Sequence, residues 1–171
     1  MGMDSLIRRG HPIAFGLLIL FGIVEGAITT WLTVKYNRNH NYGSISIRDR
    51  VRLLVFTSWF TVLFSFIYLL LFLHSASTGS VLTSVASHLI FLGFAWILWT
   101  AGVASLTAAI GGGINCSTVN RNVVYCNQLN AAMGFGWAEW LLVTGILVTV
   151  IICGIRAFRR GDGARGQLVH V

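Results

Sequence analysis

The chain predicts an all-α fold, a four-span transmembrane helix bundle of up-and-down connectivity, on three observations. It is 56% hydrophobic and only 10% charged, with mean hydropathy +0.77, whereas a soluble domain carries roughly a quarter charged residues. Its apolar residues gather into four blocks, about 12–34, 51–73, 81–110 and 129–155. Each is long enough for the roughly 20 residues that cross about 30 Å of hydrocarbon as a helix. Between the last two blocks lies a polar loop in which Cys116 and Cys126 stand ten apart and Asn115-Cys116-Ser117 reads as a glycosylation sequon. A disulfide and a sequon belong to an oxidising compartment outside the cytosol.

The expected organisation is a cytosolic N-terminus over 1–11, a membrane domain over 12–155 and a basic cytosolic tail over 156–171. In the first block, Pro12 suits the first turn of a helix, where its missing N–H costs nothing. The block is too long for a signal-peptide core, so it reads as a retained span. Gly22 and Gly26, four apart, give one flat face for close helix approach. Glu25 between them is costly in lipid and should face the bundle interior or a wet cavity. The following loop, 35–50, is polar and reads as a solvated rim: Tyr36 and Tyr42 suit the membrane interface, Asp49 stands among Arg48, Arg50 and Arg52, and His40 has no spaced ligands that would make a metal site.

The second block is apolar on every side, as expected of a helix among lipid and other helices. Ser75 to Ser80 is a short uncharged turn. The third block opens with Thr83, Ser84, Ser87 and His88, which can bond back to the helix or across to a neighbour. His88 reads as a satisfied interior histidine. Trp96 and Trp99 share one side of this helix. Gly111 to Gly113 should end it through a left-handed C-terminal cap. In the fourth block Glu139 lies between Trp137 and Trp140, Gly134 and Ala138 repeat the small-residue spacing, and Cys153, near the far end, is either an S-acylation site or a buried structural thiol.

Net charge is +7 and the isoelectric point near 10.2. The basic residues flank apolar blocks, which suits headgroups rather than nucleic acid, and no nucleic-acid motif is present. The 12 lysines and arginines divide equally between the two sides of the membrane, so the positive-inside rule is silent. The cysteine loop breaks the tie and puts both termini in the cytosol. Arg156, Arg159, Arg160 and Arg165 then face anionic lipid.

Two stretches, YCNQLNAAMGFGWAEW with Cys116 upstream and the arginine-rich RDRVRLLVF, together with four spans and a short second loop, resemble the MARVEL-domain family, its small fungal members in particular. The resemblance covers about Arg9 to Arg160. It implies a non-enzymatic tetraspan protein of plasma-membrane microdomains, vesicle traffic or membrane apposition, and brings no catalytic residues. The cysteine signatures of claudins and tetraspanins are absent.

The sequence itself holds no nucleophile with a base and no metal-ligand spacing, so neither an enzyme nor a cofactor is expected. Expected partners are membrane lipids, anionic headgroups and sterol among them, and other membrane proteins or a second copy. The competing expectation is a small proton-coupled transporter or channel built on Glu25 and Glu139. Glu25 lies nine residues from Val34 and Glu139 ten from Leu129, roughly 14 and 15 Å at the helical rise, so the two carboxyls should meet at one depth. There they are expected to hold a proton at neutral pH and to tie helices together through a neighbouring hydroxyl or indole, such as Thr29 or Trp137.

Overall fold

A computed structural model describes residues 3–75, 85–113, 115–117 and 123–160. The described residues form α1 (Met3–Asn39), α2 (Ile45–Ser75), α3 (Val85–Ile110) and α4 (Cys126–Arg160). Each helix packs on the one before and the one after it, and α1 closes the ring against α4. This is the up-and-down bundle that the four apolar blocks predict. All four helices are long and apolar enough to cross a membrane. The second inter-helix turn, with Thr83 and Ser84, lies outside the described residues, as do Arg121 and Arg165; the side chains of Arg8, Arg9 and Arg160 do too.

The helices outrun the apolar blocks because polar residues at the membrane surface continue the backbone hydrogen bonding. The main correction is at Pro12. It does not start α1 but lies inside it, where it removes the hydrogen bond its N–H would give to the carbonyl of Arg8. That position is near the end of the span, where water or headgroups can satisfy the carbonyl.

At the start of α2, Ser44 acts as N-cap: its hydroxyl accepts from the Ile47 N–H at 3.1 Å. The end of α3 is closed as the glycine run predicts. Gly111 and Gly112 have φ of +75° and +93°. The Gly112 N–H reaches the Thr107 carbonyl at 2.9 Å and the Gly111 N–H the Ala108 carbonyl at 3.4 Å, which is a Schellman closure.

Cys116 and Cys126 form a disulfide with their Cα atoms 5.8 Å apart. It ties the loop before α4 to the first residue of that helix. Tyr125, just before it, adopts φ +62° and turns its ring onto α1, packing edge-on against Trp31 at 5.1 Å and beside Tyr36 at 5.7 Å.

The outward faces carry large apolar side chains, with Ile90 75% and Leu141 63% exposed. In water such a surface would aggregate; around a membrane bundle it is the lipid contact.

Candidate functional site

The contacts between neighbouring helices carry an ordered set of polar bonds, from the buried Trp99 to the exposed Trp59. Five tryptophans each donate an indole N–H to a threonine hydroxyl on the adjacent helix. Trp59 of α2 reaches Thr30 of α1 at 3.1 Å. Trp99 of α3 reaches Thr61 of α2 at 3.0 Å, and Trp96, on the same helix, reaches Thr144 of α4 at 3.1 Å. From α4, Trp137 and Trp140 return to Thr107 and Thr100 of α3 at 3.1 and 2.8 Å.

Four of the accepting threonines donate in turn to the carbonyl one turn back on their own helix: Thr61, Thr100, Thr107 and Thr144. A hydroxyl used as acceptor and donor is satisfied without water, which a hydrocarbon setting requires. Trp96 and Trp99 therefore share a side of α3 but serve different neighbours. Five of the described threonines accept in this way, whereas Thr29, Thr33, Thr57 and Thr149 bond only to their own helix. Reading each residue within its own helix missed these pairings.

Glu25 and Glu139 lie within this frame, both fully buried. Gly22, the residue Glu139 meets, lies three residues before Glu25 on α1. Glu139 reaches across from α4 to the flat face of α1: its Oε1 would stand 3.1 Å from a Cβ on Gly22. Gly22 and Gly26 also admit α2, with Val62 and Trp59 at 2.8 and 3.1 Å from the places their Cβ atoms would occupy. The glycine pair is thus a three-helix contact, and a side chain at Gly22 would displace Glu139.

The hydrogen-bonding expected of the pair is corrected. Thr29 donates to the backbone carbonyl of Glu25 at 2.8 Å, not to a carboxyl, and Trp137 is committed to Thr107. Among the described residues, none of the four carboxyl oxygens has a hydrogen-bond partner. In hydrocarbon an unpaired carboxylate is far costlier than the neutral acid.

Gly134 also departs from expectation. Nothing lies within 4 Å of its missing Cβ, and the close approach on α4 is made by Gly136, against Val103 at 3.1 Å. Gly134 faces outward because it is two residues, about 200° of helix, from the buried Gly136. Its partner in the expected motif, Ala138, is half-buried.

A second buried cluster sits at the end of the bundle nearest both termini. His11 is stacked between Phe15 and Phe72, at 4.3 and 4.1 Å between ring centres. Its Nε2 lies 3.4 Å from Nε2 of His88. Tyr68 packs at a tilt against His88 and bonds Ser87, donating to its carbonyl at 3.1 Å and meeting its hydroxyl. His88 is interior, as expected; its pairing with His11, seventy-seven residues away, had no sequence signal.

At the opposite end, Tyr36 donates to the Val124 carbonyl at 3.3 Å. The amides of Asn39 and Asn41 donate to the Tyr125 hydroxyl at 2.8 and 3.2 Å. These bonds, Asn41's first, hold the Tyr125 phenol below the ordinary tyrosine range. Asp49 pairs with Arg48 at 3.0 Å and with Arg52 at 3.7 Å on the exposed rim, where such pairs contribute little. Among the described residues, no three histidine, cysteine or carboxylate side chains gather at one point.

Neither the curated proteins nor the solved structures include a match to this chain. The family model of the MARVEL membrane-associating domain matches residues 5–149, which takes in α2, α3 and most of α1 and α4, with the glycine contact, both glutamates and the disulfide loop. The chain is an integral membrane protein and belongs to the MARVEL family.

Proposed function

We propose that the protein is a non-enzymatic organiser of its membrane neighbourhood, holding microdomains or apposed membranes together in the plasma membrane or in secretory-pathway vesicles. The observation that carries this is the division of its side chains. Five indole–threonine hydrogen bonds tie each helix to a neighbour, and the outer surface is broad, apolar and aromatic. A rigid body with such a wall selects lipid and protein neighbours by packing rather than by chemistry. The cysteine loop lies outside and both termini are cytosolic.

The end of α4 adds a charge contribution. Arg156 and Arg159 are exposed there, and with Arg160 and Arg165 they bind anionic headgroups, at about 1 kcal/mol for each basic residue near the surface. Cys153 is buried at 8% exposure, which favours a structural thiol over S-acylation. Asn115 can carry a glycan from its exposed loop, where its Oδ1 accepts from the N–H and hydroxyl of Ser117.

Purification in native lipid followed by mass measurement tests this reading. Anionic lipid should remain bound to the parent and be lost, in a salt-dependent way, when the four arginines become glutamine. Retention unchanged by the substitutions would contradict it.

The unpaired carboxyls of Glu25 and Glu139 favour a second reading, a proton-coupled transporter. It requires flux through reconstituted vesicles that disappears in Glu25→Gln or Glu139→Gln. The organiser reading expects no flux and two variants that fold like the parent, because glutamine keeps the shape without titrating.

A further inference from the structure

The buried polar side chains are not spread evenly along the bundle. Glu25 and Glu139 lie near its middle. From their level toward the end nearest both termini, α2 carries Ser58, Thr61, Ser65 and Tyr68, all buried. The spacing of three, four and three keeps these within about 80° of one helix face, over roughly 15 Å of rise. The line starts at the carboxyls: the Ser58 carbonyl and Glu139 Oε1 stand 3.7 and 3.1 Å from the same point, the place of a Cβ on Gly22. It ends at Tyr68, whose ring lies 4.5 Å from that of His88, and at His11, whose Nε2 is 3.4 Å from Nε2 of His88. His11 in turn borders a crevice of about 390 Å³ between α1 and α4.

The half of the core toward the disulfide loop is different. Its buried side chains include Leu32, Val51, Leu54, Val103, Leu106 and Leu129. Its buried threonines, Thr29 and Thr57, donate to carbonyls of their own helices at 2.8 and 2.9 Å, and Tyr36 closes that end on the Val124 carbonyl. Among the described residues, the buried side-chain atoms without a hydrogen-bond partner belong to Glu25, Glu139, Ser65 and His11, apart from Asn41 in the α1–α2 loop. Within the bundle they therefore lie at the carboxyls or on the terminal side of them. Interior groups of this kind are met by ordered water, which typically makes about three hydrogen bonds to them.

We propose that Glu25 and Glu139 form a proton-binding site open to one side of the membrane only. Water held along Ser58, Ser65 and Tyr68 connects the carboxyls, through His88 and His11, with the compartment that the termini face, and the apolar half seals them from the loop side. The proton leaves a carboxyl oxygen for water and passes along hydroxyls and imidazoles, each of which gives up one proton as it takes another. The proposal goes beyond the organiser reading, and it needs no flux across the membrane. The buried titratable groups on this path are His11 and Glu25 of α1, Tyr68 of α2, His88 of α3 and Glu139 of α4, with Cys153 of α4 beside His11 in the crevice. No lysine or arginine is buried among the described residues. A carboxylate left by a departing proton has to be hydrated. Glu139 lies against Gly22, so losing the proton loosens the contact of α4 with α1. The packing of the bundle thereby responds to acidity on the terminal side and is blind to the other.

The test uses the full chain in sealed vesicles sorted by the side on which the termini lie. Dicyclohexylcarbodiimide enters the bilayer and modifies buried protonated carboxyls, and peptide mass spectrometry locates the adducts. The pH is stepped from mildly acidic to alkaline on one side while the other is held. Labelling of Glu25 and Glu139 should fall when the terminal side turns alkaline and stay constant when the loop side does. Ser65→Val replaces the unpaired hydroxyl with a methyl pair. It should slow the fall about fivefold, the rate equivalent of one net hydrogen bond, without lowering thermal stability. Thr57→Val, on the sealed half, should leave the response unchanged. The sidedness is read in the parent and needs no variant. Labelling that follows the loop side, both sides or neither would overturn the proposal, as would a Ser65→Val response as fast as the parent's. Retention of anionic lipid bears on the organiser reading alone, so the two fail independently.

Discussion

Replacing Trp99 separates the two contributions that hold the bundle together. Its side chain is fully buried, and its indole donates to Thr61 at 3.0 Å. Trp99→Phe removes the donor and keeps most of the ring. Thr61 is not orphaned, because it still donates to the Thr57 carbonyl at 2.8 Å. The loss should therefore be that of an ordinary interhelical hydrogen bond in a membrane protein, about 0.6 kcal/mol and at most about 1.7. Trp99→Ala instead empties the largest fully buried site. Comparable truncations cost about 3–5 kcal/mol in soluble cores, and the loss of dispersion contacts applies equally among helices in lipid. Unfolding of the purified protein in mixed micelles, followed by near-UV circular dichroism, would measure both. A double-mutant cycle with Thr61→Val should return a coupling near the Trp99→Phe value. A Trp99→Phe cost equal to that of Trp99→Ala, or a coupling of zero, would refute the idea that indole–threonine bonds fix helix register while packing carries most of the stability.

Three further outcomes are expected. Reduction of the Cys116–Cys126 bridge should lower stability by about 2–4 kcal/mol; alkylation of both thiols without prior reduction in a peptide map would show that the bridge does not form. Gly22→Ala must displace Val62 and the Glu139 carboxyl and should cost about 1–3 kcal/mol of overpacking, whereas Gly134→Ala meets open space and should be neutral or gain up to about 1 kcal/mol of helix propensity, both read by thermal denaturation in detergent. The Tyr125 phenol, held low by Asn41 first and then Asn39, should ionise below the usual value of about 10, and Asn41→Ala should raise its midpoint in an ultraviolet difference titration; a titration unmoved by that change would break the argument.

Much of the architecture was legible because lipid constrains it. Four apolar blocks can be buried only as spanning helices, and the three glycines after Ile110 can only end one. Glu25 and Glu139 could be placed at one depth by counting residues along a fixed rise. What stayed hidden depended on azimuth, not depth. The contrast between Gly134, which faces out, and Gly136, which packs on Val103, is a rotation about the helix axis that no hydrophobic period reveals when both faces are apolar. For the same reason the tryptophan–threonine bonds and the His11–His88 contact were unreadable: each joins two helices whose relative rotation is set by the bundle as a whole. Pro12 misled because a membrane helix can run past its apolar block into headgroups, where a lost backbone hydrogen bond is cheap.

The most direct test of the organiser reading is the distribution of the labelled protein in giant vesicles that separate into liquid-ordered and liquid-disordered phases. A rigid bundle that selects its lipid neighbours should concentrate in one phase or at the boundary, and should shift the area of that phase as protein is added, with no proton flux across the membrane. A uniform distribution with unchanged phases, together with a proton current that Glu25→Gln or Glu139→Gln abolishes, would contradict the account and make the buried carboxyl pair the working part of the protein.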